Sequence, residues 1–439
     1  MSYSGFTRVL TNPAGAGSIS VPDLGVFAPH VNPAVGPDGT VFLGTAHGRV
    51  IALRPNGEPY WNRDLASGDR ILLTPTVTSD GTVWVIGCFK ARDHRGGANR
   101  EIVRWTMHRF INGGGYPGPR EFPPRFEAMP WVVGSPTVWH WNDAEVVLIS
   151  ALYPRVAGHD LALLAYSLNG DLLGQWYHYI PAGDLTSSGF WESLLDALMS
   201  LPLGSDFTPG TLPTPPLPPF PGPDVALRVG GGTPVITLVN RPEKKLMTFR
   251  LDAGPGGASG TLVELFYTDH APDVLWSNAT LLPDTYTLVG TDKGLVFGPP
   301  GAQAAARPRI DHSNQIFATP TLASDGRAIA VDRYGTVLGV QGTSVVSGVS
   351  LNGLTAARPA ASLSYVYVAT ENGLHTLDAT AATVVQTFPW LGGGAWAPVI
   401  GPGGHVYAMA SNVLFIFRPP RQLPDLHDVV IESVRDRLR

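Results

Sequence analysis

The residues best suited to proton transfer in this sequence are histidines and aspartates that stand in bends between short apolar segments. Acid–base catalysis needs a positioned pair of titratable groups, and these two side chain types are common choices near neutral pH. The predicted members of such a pair are His94, His159, Asp93 and Asp332. No Gly-x-Ser-x-Gly elbow, phosphate-binding loop or dinucleotide fingerprint accompanies them. The sequence therefore offers catalytic groups without indicating a reaction.

A second set of side chains suits binding. An arginine can form two parallel hydrogen bonds with a carboxylate or a phosphate, and histidine and tyrosine side chains add further polar contacts. The predicted ligand-binding residues are His30, His47, Arg155, Arg333 and Tyr334. The 12 histidines lack a spacing such as His-Glu-x-x-His, and the lone Cys88 excludes a cysteine cluster or an intramolecular disulfide. We therefore predict no metal site.

Composition narrows the class of protein. The 439 residues include 44% hydrophobic and 15% charged residues, and the formal net charge is −5. Because the sequence has no Lys/Arg-rich run, we expect no nucleic-acid partner. No apolar stretch reaches the roughly 18 residues of a membrane-spanning helix, and no basic-then-apolar leader opens the chain. We therefore expect a cytoplasmic protein without a membrane span.

The candidate residues belong to a pattern that returns eight times: a small residue and a proline, then apolar segments separated by a tight turn and a Gly-containing bend. The copies are marked by Pro33, Pro75, Pro136, Pro234, Asn278, Pro320, Pro359 and Pro398. The shorter spacings, 39 to 44 residues, fit four short strands with their turns, which is the size of one propeller blade. We predict an all-β fold, a single β-propeller of eight four-stranded blades. Seven blades is the alternative, because the Pro234 and Asn278 copies are degenerate.

The two ends of the chain are predicted to close the ring. The last copy ends at residues 413–417, one strand short of a blade, and residues 6–10 form a strand that would complete it. The propeller then spans residues 1–420 and contains an insertion at 181–228. Residues 421–439 have the apolar spacing of a short C-terminal helix.

One copy carries a family resemblance. The segment 52–61, with Gly57-Glu58-Pro59-Tyr60-Trp61, resembles the blade motif of quinoprotein alcohol dehydrogenase-like propellers, which are built from PQQ-like repeats. The resemblance implies a β-propeller over nearly the whole chain. Family enzymes that bind pyrroloquinoline quinone carry a disulfide of adjacent cysteines and an acidic calcium site, and this sequence matches neither, so no cofactor is expected. Non-enzymatic relatives, including an outer-membrane assembly lipoprotein, use the propeller as a binding platform.

Three insertions are predicted to emerge on one face of the propeller. Loops that join second to third strands, or blade to blade, open at the same end, and residues 89–101, 153–160 and 181–228 belong to these classes. The third insertion has a helical apolar face at 189–201 and a proline-rich run at 208–223. It is either a lid or docking peptide, or a helix packed on the flank with a stiff linker. Neutral variation of surface loops is a further alternative.

We therefore expect a non-catalytic propeller that binds a protein partner or a small molecule at the loop-elaborated face of its funnel. The alternative is an enzyme, namely a lyase, hydrolase or cyclase of a specialised metabolic pathway, with its active site in the central funnel. The absence of a linear motif does not separate the two, because function resides in sites assembled on a fold rather than in the fold itself.

Overall fold

The computed structural model describes residues 7–8, 19–20, 31–45, 47–65, 69–93, 100–111, 113–125, 128–130, 132–141, 144–155, 158–181, 226–228, 235–240, 245–253, 260–269, 273, 275–283, 286–298, 308–390, 396–410 and 413–418. His30, His94 and the tail 421–439 lie outside the described residues. Of the insertion 181–228, the two ends are described and residues 182–225 are not.

Short β-strands form nearly all of the regular structure. The chain begins with β1 (Thr7–Arg8) and β2 (Ile19–Ser20). Blade 1 contains β3 (Ala34–Val35), β4 (Val41–Gly44), β5 (Arg49–Leu53) and β6 (Pro59–Asp64). Blade 2 contains β7 (Arg70–Ile71), β8 (Thr76–Val77), β9 (Val83–Asp93), β10 (Arg100–Phe110) and β11 (Arg120–Glu121). Blade 3 contains β12 (Val132–Val133), β13 (Thr137–Trp141), β14 (Ala144–Arg155), β15 (Gly158–Ser167), β16 (Leu172–Pro181), β17 (Ala226–Arg228), β18 (Val235–Asn240), β19 (Lys245–Ala253) and β20 (Gly260–Asp269).

The second half of the chain continues the same order with shorter hairpins. Blade 4 contains β21 (Thr280–Leu281), β22 (Thr287–Thr291), β23 (Gly294–Gly298) and β24 (Arg309–Asp311). Blade 5 contains β25 (Thr321–Leu322), β26 (Ala328–Val331), β27 (Thr336–Gln341) and β28 (Ser344–Ser350). Blade 6 contains β29 (Ala360–Ala361), β30 (Tyr365–Thr370), β31 (Gly373–Asp378) and β32 (Val384–Pro389). Blade 7 contains β33 (Val399–Ile400), β34 (Val406–Ala410) and β35 (Val413–Arg418), and a short 3-10 helix (Pro402–Gly404) joins its first two strands.

The chain is an all-β, seven-bladed β-propeller with four-stranded blades, when each hydrogen-bonded sheet is counted as one blade, and its described residues contain almost no helix. The sheets of blades 2 and 7 have five strands each, and blade 3 is the largest, with nine strands. It joins two antiparallel units, β12–β16 and β17–β20, through a parallel pairing of Trp176 with Gly260 and Tyr177 with Thr261. Seven, the alternative in the sequence analysis, is the number of sheets. The preferred prediction of eight blades differs from the number of sheets, because two repeats belong to the same sheet. Sequence periodicity does not reveal the hydrogen bonds between β16 and β20 that join them.

The predicted closure of the ring is confirmed. Thr7 pairs with Arg418 and Arg8 with Phe417, so β1 lies against β35 as an outer strand of blade 7. β2 pairs with the other end of β35. Strands from both ends of the chain therefore complete one sheet, which leaves the ring without an unpaired end at this point.

Apolar side chains fill the spaces between neighbouring blades. The strands β4 and β22 are buried along their whole length, because both faces of a propeller blade pack on other blades. This arrangement explains why the sequence shows continuous apolar runs rather than strict alternation at the second strands. Trp84, Trp105 and Trp176 are at most 1% exposed in these layers, and burying each large side chain contributes about 3 kcal/mol.

The first strands of successive blades contact one another around the axis, as β3 does with β8 and β33, so the fourth strands are outermost. We call the end where second strands turn into third strands the upper face, and the opposite end the lower face. The upper bends are fixed by side-chain acceptors: Thr291 and Thr370 each accept a hydrogen bond from a backbone amide two residues later. Asp332 takes this place in blade 5.

Candidate functional site

Among the described hairpins that turn at the upper face, two have the longest strands. β9 and β10 have 11 residues each, and β14 and β15 have 12 and 10, whereas β4 and β26 have four. The described parts of the insertions predicted at 89–101 and 153–160 are paired strands, in which strand pairing satisfies the backbone amides and carbonyls of the added residues. The strands of these two hairpins have six to eight more residues than β4, which adds about 20–26 Å of strand length. The two hairpins belong to adjacent sheets, and we call the region between them at the upper face the cleft between blades 2 and 3.

Arg125, Arg155 and Asp160 meet in this cleft. The Nε of Arg125 donates a 2.6 Å hydrogen bond to Oδ2 of Asp160, and the Nε of Arg155 lies 2.8 Å from the same oxygen. The Asp160 side chain is 1% exposed, while those of Arg125 and Arg155 are 24% and 31% exposed. One buried carboxylate thus holds two partly exposed guanidinium groups, and the cluster carries a net charge of +1.

Two tyrosine rings support the same arginines. The guanidinium carbon of Arg125 lies 3.4 Å from the ring centre of Tyr177, and that of Arg155 lies 4.9 Å from the ring centre of Tyr179. Such cation–π contacts orient a guanidinium and restrict its motion. Burial raises the pKa of the Tyr177 phenol, although the charge of Arg125 acts in the opposite direction. Each arginine is therefore held in place by an aromatic ring as well as by the carboxylate that the two share.

The register of the β14–β15 hairpin decides which predicted residues share this cleft. Tyr153 pairs with Asp160, Pro154 with His159 and Arg155 with Gly158. Since side chains alternate between the two faces of a strand, Arg155 and Asp160 lie on one face and His159 on the other. The Asp160 face is the one on which Tyr153 packs against blade 2, so His159 points toward the β17–β20 unit. The predicted binding residue Arg155 and the predicted catalytic residue His159 are therefore not in one site.

The environment of His159 keeps its imidazole neutral. Burial lowers the pKa of His159, and a backbone contact with Gly158 only partly offsets that effect. The side chain of the other predicted catalytic residue on these hairpins, Asp93, lies outside the described residues, although its backbone pairs with Arg100 near the end of β9. No described contact joins His159 to Asp93.

The remaining predicted residues lie at the upper face of other blades. The buried Asp332 accepts hydrogen bonds at Oδ1 from the amides of Tyr334 and Thr336, and at Oδ2 from Asn314 at 2.7 Å. His312 Nε2 lies 2.8 Å from the same Oδ2. Burial alone would raise the pKa of Asp332, but these hydrogen bonds outweigh it and hold the pKa below its usual value. The contacts are those of a carboxylate that fixes the upper bend of blade 5.

Arg333 and Tyr334 stand in the same bend. Arg333 donates a 2.8 Å hydrogen bond from Nη1 to Oε1 of Gln315, and its guanidinium carbon lies 5.0 Å from the ring centre of Tyr334. Tyr334 is 48% exposed. The exposed His47 occupies the corresponding bend of blade 1. The structure thus brings Asp332, Arg333 and Tyr334 together in blade 5, while Arg155 and His159 belong to blade 3.

Arg125 and Asp160 are the site residues that the sequence analysis did not predict. Arg125 follows Pro123-Pro124 in the connection from blade 2 to blade 3, and such connections belong to the upper face. The sequence could have indicated Arg125 because it is a basic residue in a connection between two blades. Asp160 closed the predicted insertion 153–160 but had no motif of its own. Their contact depends on packing between two sheets.

A second group of polar side chains, in contact with one another, lies between blades 1 and 2. Nε2 of His108 is 3.0 Å from Oδ2 of Asp69, and Nδ1 of His108 is 2.7 Å from the hydroxyl of Tyr116. Burial raises the pKa of Tyr116 to about 12, so its phenol is protonated at neutral pH and unsuited to attack as a phenolate. Through the contact of His108 with Tyr116, these side chains anchor the turn between β10 and β11.

The sequence that leads from β9 into β10 is more basic than the protein as a whole. Residues 89–101 include four Lys/Arg and two Asp/Glu residues, while the chain carries −5 overall. In the described part of the cleft, the two guanidinium groups of Arg125 and Arg155 share one carboxylate, which leaves an excess of positive charge. Within the ranges that the structure describes, no group of three or more His, Cys, Asp or Glu side chains could hold a metal ion.

The comparisons identify similar folds. The chain is similar to BamB from Moraxella catarrhalis, a PQQ-like-repeat β-propeller, with a TM-score of 0.53, 11% sequence identity, and coverage of 94% of this chain and 99% of that one. It is also similar to the computationally designed Ika8 protein, with a TM-score of 0.52, 11% identity, and coverage of 90% and 98%. The shared property is the fold. No protein-family model matches the chain, and no curated protein matches it.

These similarities support the expected family only at the level of the fold. A PQQ-like-repeat propeller among the neighbours agrees with the repeat motif, while the relation to the quinoprotein dehydrogenases stays a prediction. Among the described residues, no helix has the length and apolar character needed to cross a membrane.

Proposed function

We propose that the chain is a non-catalytic β-propeller that binds a protein partner or a small ligand through an acidic group, in the upper cleft between blades 2 and 3. The observation that carries this proposal is the convergence of Arg125 and Arg155 on the buried Asp160. A guanidinium recognises carboxylates and phosphates through its planar set of donors. An acidic group is therefore the chemistry best matched to the cleft.

The cluster favours binding because its arginines are already ordered. Asp160, Tyr177 and Tyr179 restrict the two guanidinium groups before any ligand arrives. Ordering a long side chain on binding costs about 0.5–1.5 kcal/mol, and that cost falls when the side chain is held in advance. The exposure of both arginines, 24% and 31%, leaves part of each side chain accessible from solvent.

The surrounding charge supports the same class of ligand. The sequence 89–101, which runs from β9 to β10 of the adjacent sheet, contains four basic and two acidic residues. A basic region on a protein with a net charge of −5 attracts acidic partners locally, and this attraction weakens as salt is added. Affinity that declines with ionic strength is thus an expected property of the binding.

Of the predicted catalytic residues, His159 and Asp332 have described side chains, and these two do not form an acid–base pair. His159 faces away from Asp160, and Asp332 is occupied by the bend of blade 5. A general acid and base must reach the same substrate, and these two residues stand in different blades. The proposal therefore treats the propeller as a binding protein.

A titration with acidic probes tests this function. A hexaglutamate peptide is the protein-like probe, inorganic phosphate and free glutamate are the small-molecule probes, and hexalysine is the charge control. We expect at least one acidic probe to bind and hexalysine not to bind, and Arg155→Gln to weaken that binding about tenfold, as loss of a charged hydrogen bond does. Arg327→Gln is the matched control, because Arg327 pairs with Asp325 in a lower-face turn.

The outcomes separate the possibilities. Binding of hexaglutamate alone supports a protein partner, and binding of phosphate or glutamate supports a small ligand. Equal binding of hexaglutamate and hexalysine, or equal weakening by Arg155→Gln and Arg327→Gln, contradicts an acidic-group site in this cleft. Circular dichroism of both variants verifies that each remains folded.

A further inference from the structure

The outermost strand of blade 5 is an open sheet edge. β28 (Ser344–Ser350) pairs with β27 on its inner side, and among the described residues no strand pairs with its outer side. Val345 and Val346 on this strand are 44% and 51% exposed. Such an edge presents backbone donors and acceptors to solvent and can accept another strand.

Other outer strands are very short, contain charges or proline, or are already paired, and none of these features is present in β28. β11 and β24 are two and three residues long and include charged residues, and β6 ends in Arg63 and Asp64. The outer strands β16 and β20 pair with each other, and β32 ends in Pro389, which lacks an amide hydrogen. The seven residues of β28 include neither a charge nor a proline. Blade 5 therefore has the least protected long edge among the described outer strands.

The sequence of β28 is nearly symmetrical about its centre. It reads Ser-Val-Val-Ser-Gly-Val-Ser, so an antiparallel copy centred on Ser347 places Ser344 opposite Ser350 and Val345 opposite Val349. Like side chains then meet across the junction, with no charge repulsion. Two-fold symmetric contacts between identical chains require this kind of self-complementary surface.

The bulge in β28 fits the same register. Val340 pairs with Val345 and Gly339 with Ser347, so Val346 is the extra residue of the bulge. In the symmetrical alignment Val346 faces Gly348 of the other copy, and a glycine leaves room for the bulged valine. The bulged Val346 of each strand thus lies opposite Gly348 of the other.

We propose that a second copy of this chain pairs antiparallel with β28, so that two propellers join through blade 5 as a two-fold symmetric dimer. The four-stranded sheet of each blade 5 would then continue into the other. The junction lies on the outer flank of the ring, away from the cleft between blades 2 and 3, so the dimer and the proposed binding function stand independently.

Analytical ultracentrifugation of the full chain over a dilution series tests the dimer. We expect the mass of two chains at the concentrated end, falling to one chain on dilution. Val346→Lys should give one chain throughout, because it places like charges on both sides of the junction. Tyr60→Lys is the matched control, since Tyr60 is the bulged residue of β6 at the corresponding position, and it should leave the dimer unchanged.

Hydrogen exchange provides a second measurement that does not depend on a variant. Amides of residues 344–350 should gain protection as the wild-type concentration rises, while amides of residues 384–389 in β32 should not. Three results would each overturn the proposal. They are the mass of one chain at every concentration, dimerisation of the Val346→Lys variant like that of the wild type, and no concentration-dependent protection of the amides of residues 344–350.

Discussion

The Nε of Arg125 donates a 2.6 Å hydrogen bond to Oδ2 of Asp160, which ties the connection between blades 2 and 3 to the third strand of blade 3. Arg155 reaches the same oxygen from the neighbouring strand β14. A connection, a hairpin and a sheet interface are thereby joined at one buried carboxylate. This arrangement gives the upper cleft both its charge and its shape.

Removing that carboxylate should destabilise the fold. Asp160→Ala leaves two guanidinium groups without their buried counter-ion, and breaking a buried ion pair from one side costs about 3 kcal/mol or more. The expected result is a lower urea midpoint with an unchanged slope. Asp171→Ala is the control, because the Asp171 side chain is 70% exposed and its ion pair with Arg120, at 3.5 Å, lies at the surface. Its free energy of unfolding should change by no more than about 0.5 kcal/mol. Equal losses for both variants would contradict a central role for Asp160.

The bend carboxylate of blade 5 should also be important for stability. Asp332→Asn replaces an acceptor-only group that receives hydrogen bonds from Asn314 and two backbone amides, and we expect a loss of about 2 kcal/mol. Thermal unfolding measures the effect. Asp378→Asn is the comparison, because Asp378 also accepts backbone hydrogen bonds but in an exposed turn. A larger loss for Asp378→Asn than for Asp332→Asn would show that burial is not the deciding factor.

Stability should fall on mild acidification, in part through His375. This buried imidazole lies 3.0 Å from the hydroxyls of both Thr370 and Thr387, and burial lowers its pKa. The unfolded chain therefore binds a proton near pH 6.5 that the folded chain resists, so stability is present above that pH and declines below it. His375→Gln should make the unfolding free energy less dependent on pH between 7 and 5. An unchanged pH dependence would contradict this contribution.

One glycine in an upper bend should tolerate no side chain. Gly294 has φ +123°, and a Cβ there would overlap the backbone oxygen of Ile310. Gly294→Ala should therefore cost about 3 kcal/mol, combining backbone strain with the overlap. Gly342 has φ +56° with nothing within 4 Å of an added Cβ, so Gly342→Ala should cost only about 1 kcal/mol. Chemical denaturation of the pair separates overlap from strain, and equal costs would refute the overlap.

Much of the architecture could be predicted from local patterns. The Asp-Gly turns, the apolar segments and the Gly-containing bends recur because each blade repeats one set of turns and buried strands. The pairing of Thr7 with Arg418 also follows from the sequence, since the last repeat lacks one strand and an early segment has the composition to supply it. The sheet count did not follow, because the pairing of Trp176 with Gly260 joins two repeats across the unpredicted junction of β16 and β20.

The candidate site divides in the same way. The sequence by itself determined that Arg155 and His159 lie in an insertion at the upper face, because strand order in a repeat assigns every bend to one end of the ring. Only the tertiary structure decided that Arg155 shares Asp160 with Arg125 while His159 faces the other way. Hairpin register sets the face of each side chain, and sheet packing brings Arg125 to a residue 35 positions away. Repeats encode local geometry, whereas contacts between blades depend on how whole sheets pack.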